Sequence, residues 1–534
     1  MSDPIVIHNP IISGFYPDPS CIRVGDTFYM VNSSFQVFPG LPIHRSTDLV
    51  HWELIGHAIC RPRQLDLTFA RTIIINAPRR EIYTAGLYAP TIRHHGNKFY
   101  IVCTNLRGSQ QPNGHSVPQN FIITCEDLTD PSSFSDPIYF DFHGIDPSLF
   151  FDDDGKAYVQ GSYIIDYDKH PATVIKQAQI NPNTGAYESE LEDIWTGAGG
   201  KCPEGPHLYK KDGSYWLLIA EGGTHRGHRI TMARSDHVWG PYESFERNPV
   251  LISQSDNHII QCVGHGELFE DAYGRWWCCM LARREYGPSY PLGRETFLTS
   301  VSWPKGEFPT ITPVELLQVV GTDLHAQNTQ AILGNTLPSA RLVTLQSPHT
   351  LFLRTPSLKN YNFNSKPPRF DLRPTDVPLT AAEYSPTFVG QRQMNLHSEA
   401  RVVVDLGSLP QQGHCGLSLY KDTHRHASLD INSDKLLSLA IVHGKQPFQY
   451  LHSRSVSGAN LIKLIIRSSI LQYTFSYDLL QDGKWLGEAT IGEVGASDMS
   501  GDDFTGTLYG IYASGMGEVV SFGDFSITEP IRSG

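Results

Sequence analysis

The chain has 534 residues with a formal net charge of −13, 18% charged residues, 11% aromatic residues, 46 glycines and 36 prolines. This length exceeds what one hydrophobic core accommodates, so two or more domains are expected, and the turn-dense, aromatic-rich composition favours an all-β protein. The acidic balance disfavours nucleic acid and anionic membrane surfaces as partners, because binding to them depends on clustered Lys and Arg.

The sequence shows no signal peptide, no membrane-spanning segment and no cysteine spacing typical of metal or redox sites. Residues 1–20 lack a basic stretch followed by an apolar one, and no run of about 18 apolar residues occurs. The nine cysteines have no CxxC spacing, which is typical of reduced thiols. We therefore expect a cytoplasmic protein without a membrane partner, and the sequence leaves open whether it forms a homo-oligomer.

Five stretches repeat one pattern, in which a strand follows a tight Pro or Gly corner and a Gly-centred turn leads into an aromatic-rich returning strand. They are YPDPSCIRVGDTFYMV (16–31), LYAPTIRHHGNKFYIV (87–102), IDPSLFFDDDGKAYV (145–159), PEGPHLYKKDGSYWLLI (203–219) and GHGELFEDAYGRWWCCM (264–280). Each is typical of a β-hairpin. The corners lie 57 to 71 positions apart, as expected for propeller blades with inserted loops. The sequence therefore predicts a five-bladed β-propeller.

Acidic residues stand beside three of these corners. Asp18 and Asp146 immediately precede their prolines, and Glu204 lies two positions before Pro206. An Asp before Pro is by itself a common turn former. Three acids in register with a repeat around an axis are instead expected to converge on one pocket.

Converging carboxyls can cleave a glycosidic bond, since one protonated carboxyl supplies a proton to the leaving oxygen and an ionised one acts from the opposite side. We assign Glu204 as the general acid, because its side chain is longer and its turn is rigid. Crowding by like charges is expected to raise its pKa. Asp18 is assigned as the general base that activates water, and Asp146 as the group that modulates the pKa of the acid and orients it.

A second domain follows the repeats. The sequence loses the repeat at about residue 321, and strands resume from ARVVVDLG (400–407) to VSFGDFSIT (520–528), with the alternation of two packed antiparallel sheets. The Pro-rich segment 366–378 is expected to run over the surface, because Pro is excluded from central strands. We predict a catalytic propeller over residues 1–325 and an antiparallel β-sandwich over residues 326–534.

Motifs in both predicted domains carry a family resemblance. They are NPIISGFYPDPS (9–20), SSFQVFPGLPIHRSTDLVHW (33–52), GLYAPTI (86–92), IDPSLFFDDDGKAY (145–158), PEGPHLY (203–209), GGTHRGHRITMARS (222–235), LGRETFLTSVSW (292–303) and FVGQRQ (388–393). On these motifs the chain resembles glycoside hydrolase family 43, in its β-xylosidase branch. The resemblance implies a five-bladed propeller, an inverting mechanism, no required cofactor, and the roles given above for the three carboxyls.

The resemblance also implies substrate contacts. Arg294 matches an arginine that binds hydroxyls of the non-reducing sugar, and Phe35 matches an aromatic wall beside that sugar. Tyr88 occupies a place where relatives commonly carry Trp, which leaves the preference between xylose and arabinose open. Phe504, in DDFTG (502–506), matches an aromatic side chain on a sandwich loop that closes the pocket as a lid.

The resemblance places His265 where relatives have a histidine near the channel centre, sometimes beside a bound calcium whose shell is completed by water. The resemblance therefore suggests calcium in the channel with His265 beside it. A hydrogen-bonded core histidine is the alternative, because calcium prefers oxygen ligands. The segment also has Gly266 and Glu267 where relatives often have Ala and Asp.

These observations together predict an inverting exo-glycosidase that releases β-D-xylose from the non-reducing ends of β-1,4-xylo-oligosaccharides. Side activity on α-L-arabinofuranosides is expected, and a primary α-L-arabinofuranosidase is the alternative in the same class, because a few contacts discriminate these sugars weakly. A retaining propeller enzyme that acts on fructosides and a non-catalytic glycan-binding propeller also stay open, because a fold by itself does not fix function.

Overall fold

The computed structural model describes residues 5–75, 81–108, 116–166, 170–320, 338–444 and 448–530. Over these ranges the regular elements are β-strands and two short 3-10 helices, Leu358–Asn360 and Ala496–Met499, without an α-helix. This confirms the all-β expectation. None of the helices in these ranges has the length and apolarity needed to cross a membrane. The predicted domain boundary at residues 325 and 326 lies outside the described residues.

The first part of the chain folds into five antiparallel sheets, here called blades 1 to 5, each built around a path of four strands. Blade 1 consists of Ser20–Val24, Thr27–Val31, Gly40–Ser46 and Glu53–Ile59. Blade 2 consists of Gly86–His95, Lys98–Arg107, Val117–Cys125 and Ile138–Phe140. Blade 3 consists of Gly144–Phe151, Ala157–Ile164, Thr173–Gln179 and Glu192–Trp195. Blade 4 consists of Glu204–Lys211, Ser214–Glu221, Arg229–Ser235 and Glu243–Ser244, with Leu251–Ile252 added beside the third strand. Blade 5 consists of Ile260–Glu270, Trp276–Arg284, Glu295–Ser302 and Thr310–Ile311.

The blades form a closed ring. The first strand of each blade contacts the first strand of the next, and the first strand of blade 5 contacts that of blade 1. The short strands Ile5–His8 and Leu317–Val320 pair antiparallel and join the two ends of the ring. This radial arrangement is that of a β-propeller, and it brings the start of every blade to the central axis.

The second part of the chain forms two packed antiparallel sheets. The larger sheet contains Pro338–Leu342, Tyr361–Ser365, Pro368–Leu372, Glu399–Asp405, Leu461–Ser468, Gln472–Gln481, Lys484–Trp485, Ala489–Gly495 and Val520–Pro530. The smaller sheet contains Thr387–Arg392, Gln412–Asp422, Arg425–Asn432, Leu436–His443, Gln449–Ser455 and Leu508–Met516. Alternation builds the core between them, as in Glu399–Asp405, where Ala400, Val402 and Val404 are fully buried.

The Pro-rich segment differs from its sequence prediction. Strand Pro368–Leu372 pairs with Tyr361–Ser365 on one side and with Val520–Pro530 on the other. The expectation that segment 366–378 forms no central strand is therefore wrong. Pro368 begins the strand, a position at which the missing N–H of proline is tolerated.

Three contacts fasten the sandwich to the propeller. Val37–Phe38 of the propeller pairs antiparallel with Phe352–Leu353. The backbone N–H of Thr507 donates to the Pro291 carbonyl over 2.9 Å, and the N–H of Tyr290 donates to Ser500 Oγ over 2.8 Å. Thr72–Ile75 and Glu81–Thr84 form a separate two-stranded hairpin that lies between blades 1 and 2 along the chain. The sandwich thereby lies against the end of the propeller at which the first strands begin.

Candidate active site

The backbone turns in the same way at the start of every blade. The residue directly before the corner has a positive φ in all five blades: Asp18 (51°), Ala89 (27°), Asp146 (55°), Gly205 (56°) and His265 (43°). This left-handed region is unusual for residues other than glycine and is commonly retained at functional sites. In blade 4 the corner position is glycine, and the neighbouring Glu204 provides the carboxyl.

One pocket collects the side chains from these corners. All eight side chains singled out in the sequence line it: Asp18, Phe35, Tyr88, Asp146, Glu204, His265, Arg294 and Phe504. Including the open solvent at its mouth, the pocket encloses about 430 Å³. Thr224 and His228 also line it; they belong to the segment GTHRGHR (223–229), whose histidines the sequence indicates to be loop or substrate-side residues without a catalytic role.

Asp18 is held by a hydroxyl from its own blade. Ser33 Oγ donates to Asp18 Oδ2 over 2.5 Å, and the same Ser33 oxygen accepts the backbone N–H of Ala89 over 2.6 Å. Asp18 Oδ1 lies 3.9 Å from Nδ1 of His265. One carboxylate oxygen is thus anchored, while the other lies toward the centre of the pocket.

Asp146 is coupled to the backbone that carries Glu204. Its Oδ2 accepts the N–H of Gly205 over 3.2 Å and lies 3.9 Å from His265 Nδ1. Burial, together with the nearby charges of Glu204 and Asp18, raises the pKa of Asp146 to about 7, although His265 acts in the opposite direction. Of the three carboxyls, Asp146 is therefore the one that is most readily protonated near neutral pH.

Glu204 has the opposite shift. Burial alone would raise its pKa, but the nearby His228, with smaller effects of His265 and Arg294, brings it below its usual value. Nε2 of His228 lies 3.4 Å from Glu204 Oε1. The expectation that the pKa of Glu204 is raised is wrong for this structure, because His228, His265 and Arg294 from blades 4 and 5 outweigh the effect of burial.

Aromatic rings and one arginine form another part of the pocket wall. The rings of Phe504 and Phe35 lie 5.6 Å apart, and Tyr88 contacts both edge-on. The Arg294 guanidinium stands 4.5 Å above the Phe504 ring, and its Nη2 donates to the Thr224 carbonyl. The hydroxyl of Tyr88 donates to the Thr84 carbonyl over 2.9 Å. These contacts give the pocket a flat apolar side next to a planar cation, a combination suited to a sugar face and its hydroxyls.

The loop that carries Phe504 is fixed by buried charges. Asp503 is fully buried and pairs with Lys421 Nζ over 3.0 Å and with Arg425 Nη2 over 3.1 Å. A Cβ built on Gly506 would lie 2.2 Å from the carbonyl oxygen of Leu292, so only glycine fits where this loop meets the propeller. The structure thus places Phe504 of the sandwich in the propeller pocket.

The described residues around His265 bear on the suggested calcium. Among the described residues there is no group of three or more His, Cys, Asp or Glu side chains arranged to hold a metal ion. Near the axis, Glu267 pairs with Arg93 Nη1 over 2.6 Å and accepts the hydroxyl of Ser20 over 2.5 Å. The described residues therefore supply no set of three side-chain ligands for the suggested calcium beside His265, and the Arg93 guanidinium already neutralises the nearby Glu267 carboxylate.

Comparisons with known proteins agree with this geometry. Residues 7–309 match the model of glycosyl hydrolases family 43, and residues 346–528 match that of the β-xylosidase C-terminal concanavalin A-like domain. A non-reducing end α-L-arabinofuranosidase of Bacteroides ovatus is 34% identical and covers 96% of this chain and 92% of its own. A β-xylosidase of Bacillus subtilis is 28% identical over 88% of both chains.

Solved structures support the same assignment. The crystal structure of a xylan β-1,4-xylosidase from Bacillus halodurans C-125 superposes with a TM-score of 0.84 at 28% identity, covering 98% of this chain and 100% of that one. The resemblance inferred from the motifs and the propeller with its C-terminal sandwich are thereby confirmed. The chain belongs to glycoside hydrolase family 43.

Proposed function

We propose that the protein is an inverting, exo-acting glycosidase that releases β-D-xylose from the non-reducing ends of β-1,4-xylo-oligosaccharides, with side activity on α-L-arabinofuranosides. The observation that carries the proposal is the convergence of Asp18, Asp146 and Glu204, from three different blades, on one pocket. Carboxyls that flank a sugar-sized pocket are the groups that glycoside hydrolysis requires.

The proposed roles follow from how each carboxyl is held. Glu204 has the most exposed side chain of the three (14%), so it is the one that reaches a glycosidic oxygen at the mouth. A bound sugar would displace water from Glu204, and this desolvation favours its protonated form. Asp18 is fixed by Ser33 and acts as the base. Asp146 modulates the acid electrostatically and orients it through the N–H of Gly205.

The reaction proceeds in one displacement. Glu204 transfers its proton to the glycosidic oxygen as the bond to the anomeric carbon breaks. Asp18 takes a proton from a water molecule, whose oxygen attacks the anomeric carbon from the opposite face, so the configuration inverts. The alternative retaining mechanism would instead make the carboxylate of Asp18 the nucleophile and give a covalent intermediate.

The closed wall of the pocket favours exo action. Phe504 reaches in from the sandwich and packs against Phe35 and Tyr88, which blocks the passage of a continuous polysaccharide chain. The pocket accommodates the terminal sugar, and the rest of a short oligosaccharide extends through the mouth.

A primary α-L-arabinofuranosidase is the second candidate. The Bacteroides ovatus relative that is named for this activity is 34% identical over 96% of this chain. Discrimination between two pentoses depends on a few pocket contacts, and differences of this kind are worth only about 1–3 kcal/mol. Tyr88, with its hydroxyl bonded to Thr84 and its ring against Phe504, lies where such a contact is made.

The experiment compares kcat/KM on nitrophenyl β-D-xyloside, nitrophenyl α-L-arabinofuranoside and xylobiose, and follows the first sugar released by proton NMR. We expect the highest kcat/KM on the xyloside and α-xylose as the first product. A higher value on the arabinofuranoside would support the second candidate. First-formed β-xylose would contradict inversion, and binding of xylobiose without hydrolysis would favour a glycan-binding protein.

A further inference from the structure

His228 is a buried histidine whose ring is fixed on three sides. Its side chain is 1% exposed. Nδ1 lies 3.3 Å from the carbonyl oxygen of Cys262, and Nε2 lies 3.4 Å from Glu204 Oε1. The ring packs directly on Gly264, where an added Cβ would lie 2.4 Å from Nδ1. The imidazole is therefore held in one orientation between blade 5 and the carboxyl of Glu204.

This orientation determines the tautomer. A carbonyl oxygen only accepts hydrogen bonds, so the contact with Cys262 requires a proton on Nδ1. In the neutral imidazole, Nε2 then carries a lone pair directed at Glu204. Nε2 is buried and has no other polar partner among the described residues, and long contacts of this kind in free enzymes commonly tighten when substrate binds.

We propose that His228 is a positioning residue that shares one proton with Glu204 and thereby sets the alkaline limb of the pH profile. This inference rests on the proposed role of Glu204 as the general acid. With one proton in the pair, either Glu204 is neutral and donates to Nε2, or Glu204 is ionised beside an imidazolium. The first form is productive, because it presents a carboxylic acid held at one angle toward the glycosidic oxygen.

The proton balance of the step is simple. The proton leaves Glu204 for the glycosidic oxygen, the bond to the anomeric carbon breaks, and the resulting carboxylate regains a proton from solvent after the products leave. His228 stays neutral during the transfer and keeps its proton on Nδ1. Its contribution is orientation before the step and retention of the shared proton between turnovers.

The pair holds its last proton to a higher pH than Glu204 would alone. The proton has two sites, and an imidazolium beside a carboxylate is stabilised by their attraction. The other titratable or charged groups near the pair are the same in the wild type, His228→Gln and Gly264→Ala. They are Asp18, Asp146, His225, Cys262, His265 and Arg294. Removal of the imidazole should therefore move the alkaline limb to lower pH.

The test measures kcat/KM against pH for the wild type and His228→Gln, with phenyl and dinitrophenyl β-D-xylosides. For the phenyl glycoside, whose leaving group needs a proton, we expect the alkaline limb of His228→Gln to move down by about one pH unit. The dinitrophenyl glycoside needs little acid assistance, so its profile should be the same in both proteins. KM should change less than kcat, because His228 acts on the acid and not on the sugar.

Two further variants separate proton sharing from a general structural effect. Gly264→Ala keeps the imidazole but displaces its ring, and it should move the limb in the same direction as His228→Gln. His225→Gln is the matched control in the same loop. Burial lowers the pKa of His225 to about 4, so its loss removes no charge over the neutral range, and the limb should stay in place.

The outcomes are distinct. An alkaline limb unchanged in His228→Gln, or an equal loss on both xylosides, would overturn the inference while leaving the glycosidase assignment intact. Absence of any hydrolysis by the wild type would refute the proposed function instead. A readout that does not need turnover is NMR of isotopically labelled histidine, in which the neutral imidazole of His228 should carry its proton on Nδ1. A neutral imidazole with its proton on Nε2 would contradict the proposal.

Discussion

At the scale of single residues, the three carboxyls differ because their neighbours differ. Asp146 is buried beside two other acids, and its pKa rises to about 7. Glu204 lies beside His228, His265 and Arg294, and its pKa falls. The sequence could show that acids recur at blade corners, but it could not show which cation each acid would meet. Those cations come from other strands, whose juxtaposition is fixed only by the closed ring.

Replacing the proposed acid should abolish most turnover without disturbing the fold. Glu204→Gln keeps the shape of the side chain but removes the transferable proton, and we expect kcat to fall about 10²–10⁴-fold on substrates with poor leaving groups. Steady-state kinetics on xylobiose is the measurement. Glu243→Gln, on an exposed outer strand of the same blade, is the control. Wild-type turnover by Glu204→Gln would contradict the acid assignment.

The raised pKa of Asp146 predicts how stability depends on pH. The folded pKa of about 7 lies above the ordinary aspartate value of 3.8, so the folded state binds the proton more tightly than the unfolded state. The stabilisation is present below about pH 4 and is lost as pH rises through about 7. Asp146→Asn lacks this loss, and its Tm relative to the wild type should increase between about pH 4 and 7 and then level off. A Tm difference that is constant across this range would show that the carboxyl does not titrate there.

At the scale of elements, the corner at the start of each blade places side chains in the pocket. All five corners have a residue with left-handed backbone conformation, and in blades 1, 3 and 5 this residue is Asp18, Asp146 and His265, respectively. The hairpins and their spacing were predictable, because turn glycines and aromatic strands are local signals. The strand Pro368–Leu372 was not predictable in this way. Its proline is the first residue of the strand, where a missing N–H is tolerated, so the general rule that proline is excluded from central strands does not apply.

The loop that carries Phe504 depends on a close backbone approach at Gly506. In Gly506→Ala the added Cβ would meet the Leu292 carbonyl oxygen at 2.2 Å, so the loop must move away from the propeller. We expect KM for xylobiose to rise and kcat to fall, since a displacement of this size at a positioning element costs about 10²-fold. Gly523→Ala in the sandwich, where the added Cβ finds only ordinary contacts at 4.0 Å, should behave as the wild type does. Unchanged kinetics in Gly506→Ala would show that the loop does not position Phe504.

At the scale of the whole molecule, the propeller ring encloses an ion pair between side chains of different blades near its axis. Arg93 pairs with Glu267 near the axis, and His207 Nδ1 lies 3.3 Å from the same Glu267 oxygen. The family resemblance suggested calcium beside His265, but it could not indicate that an arginine from blade 2 would reach the carboxylate of blade 5. That pairing depends on which blades face one another across the channel.

Chelation should therefore leave catalysis unchanged. Because the Arg93 guanidinium already balances Glu267, we expect kcat/KM on the aryl xyloside to be the same with and without a chelator of divalent cations. Added calcium should likewise have no effect. Activity that disappears on chelation and returns with calcium would show that a cation is required.

The pairing of Val37–Phe38 with Phe352–Leu353 has a thermodynamic consequence. Phe35 of the pocket wall lies two positions from one strand of this pair, and Phe504 packs on it from a loop whose buried ion pairs belong to the sandwich. If either the propeller or the sandwich unfolded, the other domain would lose its paired strand, and the pocket wall formed by Phe35 and Phe504 would be lost at the same time. The two domains should then denature as a single cooperative unit, so that loss of catalysis on heating coincides with loss of the sandwich rather than preceding it.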